Sequence, residues 1–149
     1  MKNEAISTNK VEEPMVAYGV SLLGLLCGLN FSSLEETHLP GSSIVELQKQ
    51  TKLSPQDMAG VVGVSKSKYY ELVQLNDIGT KNLDALVDFA TLWKKGLIAF
   101  DDDDEMLSEW MTSRNSNLGN IKPVELLSTR VGRRELEKAF NRIEYSTYG

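Results

Sequence analysis

The feature that most constrains the fold lies between residues 54 and 73, where a glycine separates two short helical patterns. Ser54 precedes Pro55, an order typical of a helix start, because serine can accept a backbone N–H bond and proline lacks an N–H there. Gly63 follows the apolar stripe of this helix and can adopt the left-handed conformation that ends it. The segment therefore predicts a helix, a tight turn and a second helix.

The second helix of this pair begins after Ser65, which can cap it, and its inner face carries Tyr69, Leu72 and Val73. The pattern resembles the helix-turn-helix of Xre-type regulators. That resemblance implies that the second helix enters a DNA major groove with its N-terminal residues nearest the bases. The candidate DNA-binding residues are Ser65, Lys66, Ser67, Lys68, Tyr70 and Gln74.

Charge weakens this DNA-binding hypothesis. Across residues 44–74 the basic side chains Lys49, Lys52, Lys66 and Lys68 are nearly cancelled by Glu46, Asp57 and Glu71. The whole chain carries a net charge of -5, which disfavours a surface that contacts nucleic acid everywhere but suits a basic protein partner. We therefore expect one copy to bind DNA weakly and a dimer to be needed. The alternative is a structural or dimerising module that does not read DNA.

A second ordered set of residues lies in the last third of the chain. It runs through Trp110-Met111, Asn115, Leu118-Gly119, Pro123 to Leu127, Thr129, Gly132 and Arg142 to Tyr145. This order resembles the C-terminal toxin-binding domain of Xre/MbcA/ParS-like antitoxins. Together with the helix-turn-helix, the resemblance covers roughly residues 44–149. It departs from the family at Ser146, where relatives often have glycine, and at residues 120–122, which replace a Gly-x-Thr-Pro entry.

The resemblance implies an antitoxin of a type II toxin-antitoxin system, a protein that inhibits a partner and catalyses no reaction. Relatives pair with RES-domain toxins, which deplete NAD, and their C-terminal part obstructs the toxin active site. The toxin contacts carried over are Ile143, Glu144, Tyr145, Tyr148 and Gly149. Repression of the shared operon through operator DNA is the implied second role. A stand-alone helix-turn-helix transcriptional regulator is the alternative.

Helical spacing organises the rest of this region. Leu83, Leu86 and Trp93 predict a core-facing helix that starts at Thr80 or Asn82 and is capped by Gly96. Gly132 is predicted to let the chain turn into the final helix. The apolar face of that helix is Leu136, Ala139, Phe140 and Ile143, and the side predicted to face water includes Arg133, Arg134, Glu137, Lys138 and Glu144.

Five consecutive acids at residues 101–105 invite a metal or nuclease hypothesis. We reject it, because neighbouring residues on a helix point in different directions and a metal needs carboxylates that converge. Acids also suit the positive end of a helix dipole. The run therefore predicts a helix N-terminus, followed by a buried face of Met106, Leu107, Trp110 and Met111.

Residues 15–31 carry no charge and could be mistaken for a membrane anchor. The run is shorter than the roughly 20 apolar residues of a spanning helix and is interrupted by glycines and polar residues. We predict a buried or dimer-packing helix instead, preceded by a mobile arm up to Glu13 and followed by a loop at residues 31–43.

No catalytic constellation is visible, because His38 stands alone and no glycine-rich dinucleotide fingerprint occurs. The single Cys27 allows neither an internal disulfide nor a zinc site. We predict an all-α, cytoplasmic, non-enzymatic protein without cofactor or metal, forming a homodimer and larger assemblies with its toxin. The predicted regions are 1–43, an arm and packing segment; 44–78, the helix-turn-helix; and 79–149, the toxin-binding domain.

Overall fold

The computed structural model describes residues 21–148, with residues 147 and 148 described by their backbone only. The predicted arm before Glu13, the first part of the uncharged segment 15–31, the Tyr148 side chain and Gly149 lie outside the described residues.

Helices make up the described part of the chain, and residues 21–148 contain no β-strand. An isolated β-bridge joins Asn115 and Ile121. The all-α prediction is therefore confirmed. The α-helices are α1 (Leu22–Cys27), α2 (Phe31–Leu34), α3 (Ser42–Thr51), α4 (Pro55–Val62), α5 (Lys66–Leu72), α6 (Gly79–Ala99), α7 (Asp104–Met111) and α8 (Arg130–Tyr148), and two 3-10 helices, Ser116–Leu118 and Pro123–Ser128, lie between α7 and α8.

The predicted helix-turn-helix signals form as expected at α4 and α5. The Ser54 hydroxyl accepts the Asp57 N–H at 3.0 Å, and the Asp57 carboxylate accepts the Ser54 N–H at 3.1 Å. Gly63 ends α4 in the left-handed conformation, with φ 74°. Ser65 then caps α5 by accepting the Lys68 N–H at 3.2 Å. Local capping chemistry alone thus sets these helix boundaries.

The long helix α6 is the centre of the molecule, and α1, α4, α7 and α8 all pack against it. Buried side chains from every predicted region belong to one hydrophobic cluster, as Leu26, Met58 and Phe140 illustrate. Helix α4 also packs on the 3-10 helix Pro123–Ser128. The helix-turn-helix therefore rests directly on the last third of the chain. The proposed region boundaries at residues 43 and 78 fall within this continuous core.

The predicted glycine cap of α6 is wrong. The helix continues past Gly96 to Ala99, and Gly96 is buried inside it. A Cβ atom there would lie 2.8 Å from a Phe140 ring carbon and 2.9 Å from a Leu107 methyl group. Gly96 thus lets α7 and α8 approach α6 closely, a need that local sequence cannot reveal.

Other local predictions also need correction. Gly132 lies in the first turn of α8 rather than before it, and Thr129 begins that helix by accepting the Gly132 N–H at 2.9 Å. The predicted loop 31–43 opens with the helical turn α2. Met106 is 52% exposed, whereas Leu107 and Met111 are fully buried and Trp110 is half-buried.

In the described part of the uncharged N-terminal segment, Leu22–Cys27 form the helix α1. Leu22 and Leu26 of α1 are buried, and α1 packs on α6. Among the described helices, none is both long and apolar enough to cross a bilayer. Phe31, the first residue of α2, is 82% exposed.

Candidate functional site

Helix α5 presents one polar face to solvent. All of its predicted DNA-binding residues are exposed, namely Ser65, Lys66, Ser67, Lys68, Tyr70 and Gln74. The inner face is held by Tyr69, which is buried and whose hydroxyl donates to Gln48 Oε1 at 2.9 Å. Burial raises the pKa of Tyr69. The arrangement anchors α5 on α3 and leaves its other side accessible, as a groove-reading helix requires.

Two of the four lysines of the helix-turn-helix lie near an acidic side chain. Lys52 Nζ lies 3.2 Å from the Glu105 carboxylate of α7, and Lys68 Nζ lies 4.0 Å from that of Glu71. The weak basic character expected from the sequence is thus further reduced by neighbouring acids. The α5 face alone offers a small positive charge to a phosphate backbone.

The polar loop between α7 and the second 3-10 helix is tightly bonded to itself. Asn115 Oδ1 accepts the Asn117 N–H at 2.8 Å, and the Asn115 N–H donates to the Ile121 carbonyl at 2.9 Å. Gly119 and Asn120 are both left-handed, with φ 82° and 62°, so the predicted glycine bend is confirmed. These bonds fix the loop in one conformation.

A groove of about 830 Å³ separates this loop from the C-terminal half of α8. Its apolar lining is Trp110, Leu118, Leu126, Ala139 and Ile143, and its polar lining is Asn115, Asn117, Glu135, Arg142 and Ser146. We call it the loop–helix groove. It brings together residues from both ends of the stretch that resembles the toxin-binding domain.

Of the predicted toxin contacts, Ile143, Glu144 and Tyr145 are described with their side chains. Ile143 lines the loop–helix groove, Glu144 is half-buried, and Tyr145 is 71% exposed. Trp110 forms the floor, with its ring 5.6 Å from that of Phe140. The described part of the set therefore combines an apolar base with an exposed tyrosine, which is a common composition for protein-binding surfaces. Their role as toxin contacts stays a prediction.

A second groove, of about 600 Å³, lies between α4, α6 and the start of α8. Charged side chains dominate it: Lys81, Asp84, Asp88, Lys95, Arg130, Arg133, Arg134 and Glu137. We call it the charged groove. Arg133 and Arg134 were predicted to face water; Arg134 is exposed, whereas the sequence carried no signal that Arg133 would contact α6.

Arg133 corrects that prediction most clearly. Its side chain is only 27% exposed, its Nε lies 2.7 Å from the Asp88 carboxylate, and its Nη1 donates to the Leu127 carbonyl at 2.9 Å. Glu137 is likewise half-buried and lies 3.1 Å from Lys95 Nζ. These ion pairs tie α8 to α6.

Replacing Arg133 by methionine should lower the free energy of unfolding by about 1–2 kcal/mol, since a hydrogen bond and a partly exposed ion pair are lost. The matched control is Arg134→Met, because Arg134 is exposed and makes no ion pair with a described residue. Urea denaturation followed by circular dichroism measures both. Equal stability of the two variants would show that the Arg133 contacts contribute nothing.

His38 is not isolated as predicted. Its Nδ1 lies 2.8 Å from Asp77 Oδ2, and Asp77 also accepts the Gly79 N–H at 2.9 Å. The hydrogen bond from the Gly79 N–H is the main cause that lowers the pKa of Asp77, and the hydrogen bond with His38 lowers it further. This pair connects the loop before α3 with the start of α6. Elsewhere in the described part of the chain, burial raises the pKa of the Cys27 thiol.

The acidic run begins a helix, as predicted. Asp103 caps α7 by accepting the Met106 N–H at 3.0 Å, and Asp104 and Glu105 form its first turn. Asp101 and Asp102 adopt left-handed backbone conformations that the sequence did not indicate, with φ 59° and 62°. Within the described ranges, no group of three potential ligands is arranged to hold a metal ion.

Residues 95–145 match the family model of the antitoxin Xre/MbcA/ParS C-terminal toxin-binding domain. The matched segment begins inside α6 and ends at Tyr145, so it contains every residue that lines the loop–helix groove except Ser146. The resemblance to this toxin-binding domain is thereby confirmed over residues 95–145, whereas the resemblance of residues 54–73 to an Xre-type helix-turn-helix and the RES-domain partner stay predictions. A search of curated proteins gave no match. The match suggests an antitoxin and hence a regulatory, non-enzymatic protein that binds a toxin.

Proposed function

We propose that this chain is the antitoxin of a type II toxin-antitoxin system and neutralises a RES-type, NAD-depleting toxin by covering its active site. The observation that carries the proposal is the family match over residues 95–145, which includes the loop–helix groove. The RES class follows from the resemblance described above. In this proposal the chain acts by supplying a binding surface.

The loop–helix groove suits the inhibition of a protein partner. Trp110 and Ile143 provide apolar lining, hydrogen bonds within the loop stabilise one wall, and the exposed Tyr145 follows Ile143 by two residues along α8. A preorganised surface loses little conformational entropy on binding, so more of the contact energy appears as affinity. An exposed tyrosine adds a large contact area with few rotatable bonds. We place the toxin on this side of α8.

The proposal is tested by expressing the neighbouring open reading frame with and without this chain while intracellular NAD is followed. Growth arrest with NAD loss that the chain reverses is the expected result. Rescue of arrest without NAD loss would keep the antitoxin and reject the RES class. Absence of any toxicity would favour the alternative, a stand-alone helix-turn-helix regulator.

We further propose that the chain represses its own operon through α5. The exposed polar face of that helix, set by the Ser54 and Ser65 caps and the Gly63 turn, supports this role. Two half-sites on operator DNA require two copies, so we propose a homodimer and a larger assembly with the toxin. Both partners would be met in the cytoplasm.

Replacing Lys66 and Lys68 by alanine should weaken operator binding about tenfold or more, because each lost phosphate contact also reduces counterion release. Toxin neutralisation should be unchanged. Fluorescence anisotropy with promoter DNA measures the first effect, and the growth assay measures the second. The control is Lys94→Ala with Lys138→Ala, which removes the same charge from exposed positions outside α5. Unchanged operator binding in the α5 variant would reject α5 as the groove-reading helix.

A further inference from the structure

The proposed DNA-binding face lacks sufficient positive charge, and the charged groove lies next to it. Val62 and Gly63, which end α4 immediately before Ser65 caps α5, form part of the groove wall. The opposite walls come from α6 and the start of α8. Cations in this groove therefore border the turn that leads into the proposed recognition helix.

Ion pairs divide the groove into neutralised and available charges. Arg133 pairs with Asp88, and Lys95 pairs with Glu137. Lys81, Arg130 and Arg134 are all exposed and make no ion pair with any residue between 21 and 146. The acid left to oppose these three cations is Asp84, so the available charge of the groove is three minus one, or +2.

We propose that Lys81, Arg130 and Arg134 bind the DNA phosphate backbone beside the major groove that α5 enters. This inference rests on the proposed DNA-binding role. DNA is the occupant that fits, because the excess charge is positive, the cations are exposed, and the surface is continuous with the N-terminal end of α5. Phosphate contacts there would supply the affinity that the helix-turn-helix lacks and would fix its orientation on the duplex.

The proposal gives α8 two ends with different partners. Arg130 and Arg134 in its first turns would contact DNA, whereas Ile143 and Ser146 near its C-terminus line the loop–helix groove. Operator binding would then depend on residues outside the helix-turn-helix itself. A fragment ending before α8 should accordingly not be used to assess DNA binding.

The experiment compares full-length wild type with the double variant Arg130→Ala and Arg134→Ala. Anisotropy titrations at several salt concentrations use a duplex from directly upstream of the chain's own coding sequence and an unrelated duplex of equal length. The control is Lys138→Ala with Arg142→Ala, which removes the same charge from exposed positions of α8 outside the charged groove. Thermal unfolding verifies that each variant is folded.

We expect the groove variant to bind both duplexes about tenfold more weakly or worse, with a salt slope shallower by about two. The preference for the upstream duplex should persist, because phosphate contacts carry no sequence information. The lysine variant, Arg130→Lys with Arg134→Lys, should retain the wild-type salt slope, because the charges remain. If the alanine variant does not fold, Lys81→Ala, which removes the third exposed cation of the groove, should make the salt slope shallower by about one, and a wild-type slope would overturn the inference.

Four outcomes would overturn the inference. Wild-type affinity and slope in the alanine variant would show that these arginines do not meet DNA. An equal loss in the control would show that net charge alone matters. If the wild type binds neither duplex, the proposed DNA-binding role fails together with this inference. If wild type binds and only the Lys66 and Lys68 variant loses affinity, the DNA-binding role stands and this inference fails.

Discussion

Replacing Gly132 by alanine is expected to cost about 3 kcal/mol or more of stability, the largest effect of any single substitution proposed for this protein. The new Cβ would overlap the Leu126 carbonyl oxygen and lie 2.9 Å from the Leu126 carbonyl carbon. Both are backbone atoms of the 3-10 helix Pro123–Ser128, so no side-chain rotation can relieve the clash. That 3-10 helix packs on both α4 and α8, and its displacement would disturb each.

The matched control is Gly60→Ala within α4. There the nearest neighbour of a new Cβ outside α4 would be the Ser128 Cβ at 3.6 Å, an ordinary contact. Because alanine favours helix over glycine, this change should stabilise the protein by about 0.5–1 kcal/mol. Urea denaturation followed by circular dichroism measures both variants. A Gly132→Ala variant as stable as Gly60→Ala would show that the contact between α8 and the 3-10 helix relaxes without cost.

Deleting residues 145–149 is expected to abolish toxin neutralisation while operator binding persists. Tyr145 is 71% exposed, so its removal exposes no core, and the core positions Leu136 and Phe140 remain in α8. The deletion removes Tyr145, Tyr148 and Gly149, which are three of the five proposed toxin contacts. DNA contacts proposed at α5 and at the start of α8 are left in place.

A single substitution refines this test. Tyr145→Ala should weaken toxin binding by at least about 2 kcal/mol, or about thirtyfold in Kd, if this tyrosine is an anchor of the interface. Phe31→Ala removes another aromatic ring, 82% exposed, and should leave toxin binding unchanged. Calorimetric titration with the purified toxin measures both. Loss of operator binding as well as neutralisation in the deletion variant would indicate that the tail merely holds the fold.

Much of the helix pattern could be predicted because its causes are local. A serine that accepts an N–H three residues later, or a glycine that takes a positive φ, acts within one turn of chain. Ser54, Gly63 and Ser65 were therefore placed correctly by short-range chemistry, and the acidic run was correctly placed at a helix N-terminus. The inner face of α8 followed from the spacing of Leu136, Ala139 and Phe140, all of which are buried.

The errors concern residues whose role depends on a distant partner. The sequence suggested that Gly96 caps a helix. In the structure it lies inside α6, where a side chain would clash with Phe140 and Leu107. Arg133 looked solvated, yet it pairs with Asp88, which lies on a different helix. His38 looked isolated until the fold brought it to Asp77. In each case the same residue pattern is compatible with either role, because sequence spacing does not specify which elements pack together.

The candidate surfaces divide in the same way. The exposed side of α5 and the order of residues that marks the toxin-binding segment are properties of the chain itself, since they depend on helical periodicity and on residue identity. The loop–helix groove and the charged groove exist only because α8 folds back along α6 and beside α4. Periodicity determines which side of each helix is apolar, whereas packing against α6 decides which charged side chains become neighbours.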